Sequence, residues 1–117
     1  MTEPRRGDIY QVDWNPARGH EQADVRPAMV VQNDIGNRFS PTTVVAAITS
    51  RPPKKAYPFE LQIPQGVLPK PSWVNCSHLT TIDRTRLGRL MGALPADQLG
   101  ALDEALGHAL GISRTGG

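Results

Sequence analysis

The chain is poor in cysteine, with Cys76 the only one among 117 residues. An internal disulfide is therefore impossible, and nothing in the composition calls for an oxidising compartment. Long apolar runs are missing too. No stretch approaches the ~18 consecutive apolar residues of a membrane-spanning helix, and the opening MTEPRRGD has no apolar signal core. Both absences lead to the expectation of a cytoplasmic protein that does not engage a membrane. Metal-ligand clusters are absent as well: the three histidines and the cysteine are scattered at 20, 76, 78 and 108, so neither a metal nor another cofactor is expected. Aromatic residues make up 5% and the net charge is only +2. Attraction to a polyanion would have to come from a local patch rather than from the whole molecule.

Glycine and proline, by contrast, are plentiful at eleven each. They divide the chain into short segments, which favours strands and turns over long helices. The length suits one domain over 1–117, with a core over about 6–112 and a frayed tail at 113–117. In the stretch 9–14, Tyr10, Val12 and Trp14 alternate with Ile9, Gln11 and Asp13, the pattern of a half-buried strand. Asn15-Pro16 starts a loop that carries GHEQ at 19–22. Two continuous apolar runs, PAMVV at 27–31 and TVVAAI at 43–48, read as fully buried strands. The segment QNDIGNRFSPT between them reads as a loop. Residues 51–58, RPPKKAYP, cannot form a central strand because three of the eight are Pro. Further strands are predicted over 59–63 and 72–79.

In the last third the apolar period lengthens. Pro95 suits a first helical position and Asp97 the first turn. Beyond them Leu99, Leu102, Leu106 and Leu110 form one stripe of a helix. A shorter helical turn is predicted from Asp83. Together these segments predict a mainly β (α+β) fold: a small partial barrel of five to seven antiparallel strands with a C-terminal helix.

A symmetric hairpin of the two buried runs, centred between Asn37 and Arg38, places Arg26 opposite Thr49. Opposed residues point to the same face with Cβ atoms roughly 5 Å apart. The Arg fork and the Thr hydroxyl would then meet at one end of the sheet, beside the GHEQ loop. A register shifted by one would put them on opposite faces.

RGDIYQVD at 6–13, GHEQ at 19–22, RP at 26–27, QND at 32–34, NRFSPT, AAITS at 46–50 and TIDRTRL at 81–87 together resemble the MazF/PemK family of bacterial toxins, in order and spacing, over nearly the whole chain. The resemblance implies an SH3-like barrel of the CcdB/PemK kind, a homodimer, and a metal-independent endoribonuclease. Such an enzyme cuts single-stranded RNA at short preferred sequences, leaving 2′,3′-cyclic phosphate and 5′-hydroxyl ends, and so blocks translation. It also implies a cognate MazE-like antitoxin whose acidic tail fills the RNA groove. By motif, Arg26 and Thr49 match the family's catalytic residues, and His20 matches a histidine of the PemK-like members. That branch also uses an acidic residue at the position of Ser77 and an Arg at that of Asn75; this chain has neither.

Attack by a ribose 2′-hydroxyl needs a base, charge stabilisation at phosphorus and an acid for the leaving oxygen. Arg26 suits the second task, because its planar fork matches two phosphate oxygens. It is a poor base, remaining protonated up to about pH 12. Thr49 offers one hydrogen bond, and His20 or Glu21 is the candidate base. Gln22, Pro27, Ser50 and Thr80 are expected to touch RNA. Arg51, Lys54 and Lys55 with Tyr57 form a basic loop suited to steering phosphates and stacking a base. His78 is either a base contact or a plain strand histidine. Two other readings keep the fold and drop the nuclease. A CcdB-like toxin would bind DNA gyrase through its C-terminal residues, which here are the polar ISRTGG. A nucleic-acid-binding SH3-like module would be expected to have lost Arg26 or Thr49.

Overall fold

The computed structural model describes residues 3–14 and 24–112. Six antiparallel strands form one sheet: β1 (Asp8–Asp13), β2 (Val25–Val30), β3 (Thr42–Thr49), β4 (Glu60–Gln62), β5 (Trp73–Asp83) and β6 (Leu87–Ala93). Their order across the sheet is β4-β5-β3-β2-β1-β6. The strand number and the C-terminal helix match the sequence reading. The sheet is not closed into a barrel, since β4 and β6 remain as separate edges. No helix among the described residues is long and apolar enough to cross a membrane.

The central strands are buried on both faces, which is why their sequences are continuous apolar runs rather than alternating ones. On one face Met29, Ala46, Ile48, Val74 and Cys76 pack with Leu102 and Ala105. On the other, Tyr10, Val12, Ala28, Val30, Val45 and Ile82 form a second cluster, flanked by Trp14 and Leu87. The single apolar face predicted for β1 is therefore incomplete: Ile9 is as fully buried as Val12, but in the first cluster.

The C-terminal helix α2 spans Leu99–Leu110, after a 3-10 turn over Ala96–Gln98 that Pro95 precedes. Three leucines of the predicted stripe, Leu99, Leu102 and Leu106, face the core, whereas Leu110 is exposed. Gly111 ends the helix with φ 72°, a left-handed conformation open to glycine. Arg6 ties the helix to the sheet, pairing with Asp103 at 2.6 Å while its Nε donates to the Val31 carbonyl at 3.0 Å.

Three features depart from the sequence reading. QNDIGNRFSPT contains a helix, α1 (Asp34–Phe39), where a loop is expected. Its six residues have weak helix propensity, but the Asn33 side chain caps it by accepting from the Gly36 N–H at 2.8 Å. Asn37, fully buried, holds it from below. Its amide donates to the Gln32 carbonyl and Asp34 Oδ1, and its Oδ1 accepts from Thr43 Oγ1 at 2.7 Å and Gln32 Nε2 at 3.2 Å. The helical turn expected from Asp83 is only a 3-10 turn over Arg84–Arg86, and LGRLMGA after it forms a sixth strand. The strand predicted over 72–79 runs on to Asp83.

That longer β5 contains a pronounced bulge. Between Ala46 and Ala47 of β3 the partner on β5 jumps from Leu79 to Asn75. The extra residues invert the alternation: Val74 and Cys76 are buried in the α2-side cluster, but Ile82 in the opposite one.

Candidate active site

The β2–β3 ladder pairs Ala28 with Ala47, Met29 with Ala46 and Val30 with Val45. This is the register expected from the sequence, although a helix rather than a simple loop closes the connection. The ladder ends at Ala28 and Ala47; beyond it Arg26 pairs with Val12 of β1 and Thr49 with Trp73 of β5, and strand alternation puts both on the face that carries Ala28 and Ala47. Both residues line a groove of about 650 Å³. Pro27, Ser50 and His78, also predicted from the sequence, line it with them.

Arg26 is exposed and partly committed. Its Nε donates to Asp24 Oδ1 at 3.0 Å, and its guanidinium carbon lies 5.3 Å from the centroid of the Trp14 ring. That stacking leaves the guanidinium's outer edge for a ligand. The neighbouring Trp14 Nε1 is buried without a hydrogen-bond partner. Thr49 Oγ1 accepts from the Arg51 N–H at 3.1 Å. This fixes its lone pair and leaves its O–H to donate.

Two further groove residues were not singled out as candidates from the sequence. Lys70 comes from the β4–β5 connection, where its only signal is a lone Lys between Pro69 and Pro71. Asn75 lies opposite Ala47, and its Oδ1 accepts from the Ser77 N–H at 3.0 Å and from Ser77 Oγ at 2.6 Å. No carboxylate from the described residues lines the groove, so its charged groups, Arg26 and Lys70, favour an anion. Leu68 and Met91 add apolar surface on which a base could rest.

The other predicted contacts lie elsewhere. Arg51, Lys54 and Lys55 are exposed outside the groove, and Tyr57 stacks on Phe59 with ring centroids 5.0 Å apart. Thr80 sits opposite Val45, beyond the bulge. His20, Glu21 and Gln22 lie outside the described residues.

Residues 5–110 match the family described as PemK-like, MazF-like toxin of type II toxin–antitoxin systems. Among solved structures, the chain is similar to a MazE–MazF complex from Deinococcus radiodurans, at 31% identity and a TM-score of 0.77, covering 97% of this chain and 100% of that one. It is similar also to a MazF toxin of Mycobacterium tuberculosis, at 27% identity and a TM-score of 0.75, covering 91% and 98%. A mycobacterial endoribonuclease solved with its cognate antitoxin shares the fold at 24% identity and a TM-score of 0.76, covering 94% and 97%.

Proposed function

The chain belongs to the PemK/MazF-like toxin family of type II toxin–antitoxin systems, and on that premise we propose that it is an endoribonuclease acting on single-stranded RNA. The observation that carries this reading is the meeting of Arg26 and Thr49 at one groove that no described carboxylate lines. A phosphodiester seated there receives the Arg26 fork on its non-bridging oxygens and a hydrogen bond from the Thr49 hydroxyl. As the 2′-oxygen bonds to phosphorus, charge grows on those same oxygens, and donors already in place stabilise it. The products are a 2′,3′-cyclic phosphate and a 5′-hydroxyl end. Removal of the 2′-hydroxyl proton remains assigned to His20 or Glu21, from the sequence alone.

The working form is a cytoplasmic homodimer, silenced when the acidic tail of a MazE-like antitoxin occupies the groove. The Arg26 and Lys70 cations suit that tail as they suit RNA, and two of the similar structures contain an antitoxin. Cleavage of mRNA by the released toxin would stop translation and growth.

The test is incubation of the purified chain with a long single-stranded RNA in excess EDTA. Cleavage is expected, with 5′-hydroxyl ends, and Arg26→Ala should reduce it by about 100-fold or more. Intact RNA, or equal cleavage by Arg26→Ala, would overturn the reading.

A further inference from the structure

We propose that His78 is the general acid of the cleavage, donating a proton to the 5′-oxygen as it leaves. This rests on the endoribonuclease reading and adds to it a residue on a different strand from Arg26 and Thr49.

The argument starts from the bulge. In an uninterrupted β5, residue 78 would share a face with Val74 and Cys76, both fully buried against the α2 side of the sheet. A histidine there would face an apolar core. Instead the pairing jumps from Asn75 to Leu79 at this point, and His78 is exposed and lines the groove with Arg26 and Thr49. Bulges re-aim side chains in this way and are frequent beside active sites.

The bulge is also secured from within. Asn75 Oδ1 takes both the backbone N–H and the hydroxyl of Ser77, at 3.0 and 2.6 Å. Asn75 and Ser77 thereby fix the chain next to His78 and bring no titratable group of their own. The strands order the components across the sheet, with Arg26 on β2, Thr49 on β3 and His78 on β5.

Among the described residues lining the groove, His78 carries the one imidazole, a side chain suited to general acid catalysis. The charged groups lining the groove with it are Arg26 from β2 and Lys70 from the β4–β5 connection; β3 contributes Thr49 and β6 contributes Met91. Glu60 of β4 is paired with Asn75 but does not line the groove. A bound phosphodiester offsets the two cations that line the groove with His78.

In the step itself, the 2′-oxygen bonds to phosphorus while the P–O5′ bond breaks, its electron pair passing to O5′. O5′ takes the ring proton of His78. The 2′-hydroxyl proton passes to the base assigned to it above and from there to solvent, and the imidazole regains a proton from solvent.

A leaving-group comparison tests this directly. Wild type, His78→Ala and His78→Gln are assayed on one RNA with an ordinary phosphodiester and on the same RNA with a 5′-bridging sulfur, whose thiolate leaves without protonation. Both variants should lose about 100-fold or more on the ordinary RNA and recover to near wild-type rates on the sulfur-linked one. The alkaline fall of wild-type cleavage on ordinary RNA should vanish in both. Equal losses on the two substrates, or no loss on either, would overturn the proposal for His78 while leaving the endoribonuclease reading intact. Failure of the wild-type chain to cut either RNA would overturn that reading, and the inference with it.

Discussion

Arg26 and Asp24 meet edge-on at the start of β2, with Arg26 Nε donating to Asp24 Oδ1 at 3.0 Å and Nη2 reaching Oδ2 at 3.5 Å. The pair is exposed, at 59% and 37% of the side chains, so its contribution to stability is small, about 0–1 kcal/mol. Its effect on orientation is larger, because one edge of the guanidinium is engaged and the other is presented. Asp24→Ala should leave the melting temperature within about 2 °C of wild type while lowering kcat/KM for RNA roughly tenfold. A thermal melt paired with a cleavage assay checks both; unchanged cleavage would separate the ion pair from the reaction.

Keeping the charge at this position should not be enough. Arg26→Lys supplies a point charge without the planar fork, and it gives up the guanidinium's stacking on Trp14. Cleavage should fall by about 30-fold or more, with RNA binding reduced far less. Filter binding and single-turnover rates on one RNA distinguish the two effects.

Asn37 is expected to dominate the stability of the α1 region. All four of its side-chain hydrogen bonds are internal and the residue is fully buried. Asn37→Ala leaves the Thr43 hydroxyl without that acceptor inside the protein, and should cost about 2–4 kcal/mol. Urea unfolding measures this, and a loss below about 1 kcal/mol would show that the hub is dispensable.

Stability should also decline at alkaline pH. Burial pushes the Cys76 thiol up from an ordinary value of 9.0 to about 11, against an opposing effect of Arg6. Burial and the nearby Asp8 also raise Tyr10, while Arg84 opposes them. Between pH 9 and 11 the unfolded chain therefore releases the thiol proton while the folded chain keeps it. The contribution of Cys76 is fully present below pH 9 and is lost as pH rises toward 11, by at most about 3 kcal/mol. Urea unfolding from pH 8 to 11 should show a steeper decline for wild type than for Cys76→Ala, whatever the variant's starting stability. Parallel declines would remove Cys76 as the cause.

Much of this fold is legible in the sequence. PAMVV and TVVAAI carry enough β-branched and apolar character to place β2 and β3, and their symmetric spacing predicts the observed register. The leucine spacing gives α2 through three turns. What escapes depends on tertiary contacts and pairing irregularities rather than on local propensity. α1 depends on Thr43 reaching back to Asn37, and no local propensity reveals that. The bulge in β5 inverts an alternation that would otherwise bury His78, so the sequence names the residue without showing how it comes to line the groove. Lys70 is carried to the groove by the β4–β5 connection, where nothing in PKPS marks it. The basic loop at 51–57 stands out by composition, yet the groove forms without it.

The hub around Asn37 has a consequence at the far end of the sheet. Because β2 and β3 are apolar on both faces, the alternation of their side chains penalises a slide of one strand along the other less than a half-polar pair would. The clasp fixes their relative position instead. Gln32 and Asn37 grip Thr42 and Thr43 of β3, the Val31 and Gln32 N–H groups both donate to the Val44 carbonyl, and Arg84 Nη1 closes on the Asn37 carbonyl at 3.0 Å. From that anchor the strands run five residues to Arg26, roughly 17 Å at strand spacing. The connector between β2 and β3 works as a ruler, and it sets how the two groove residues align from outside the groove itself.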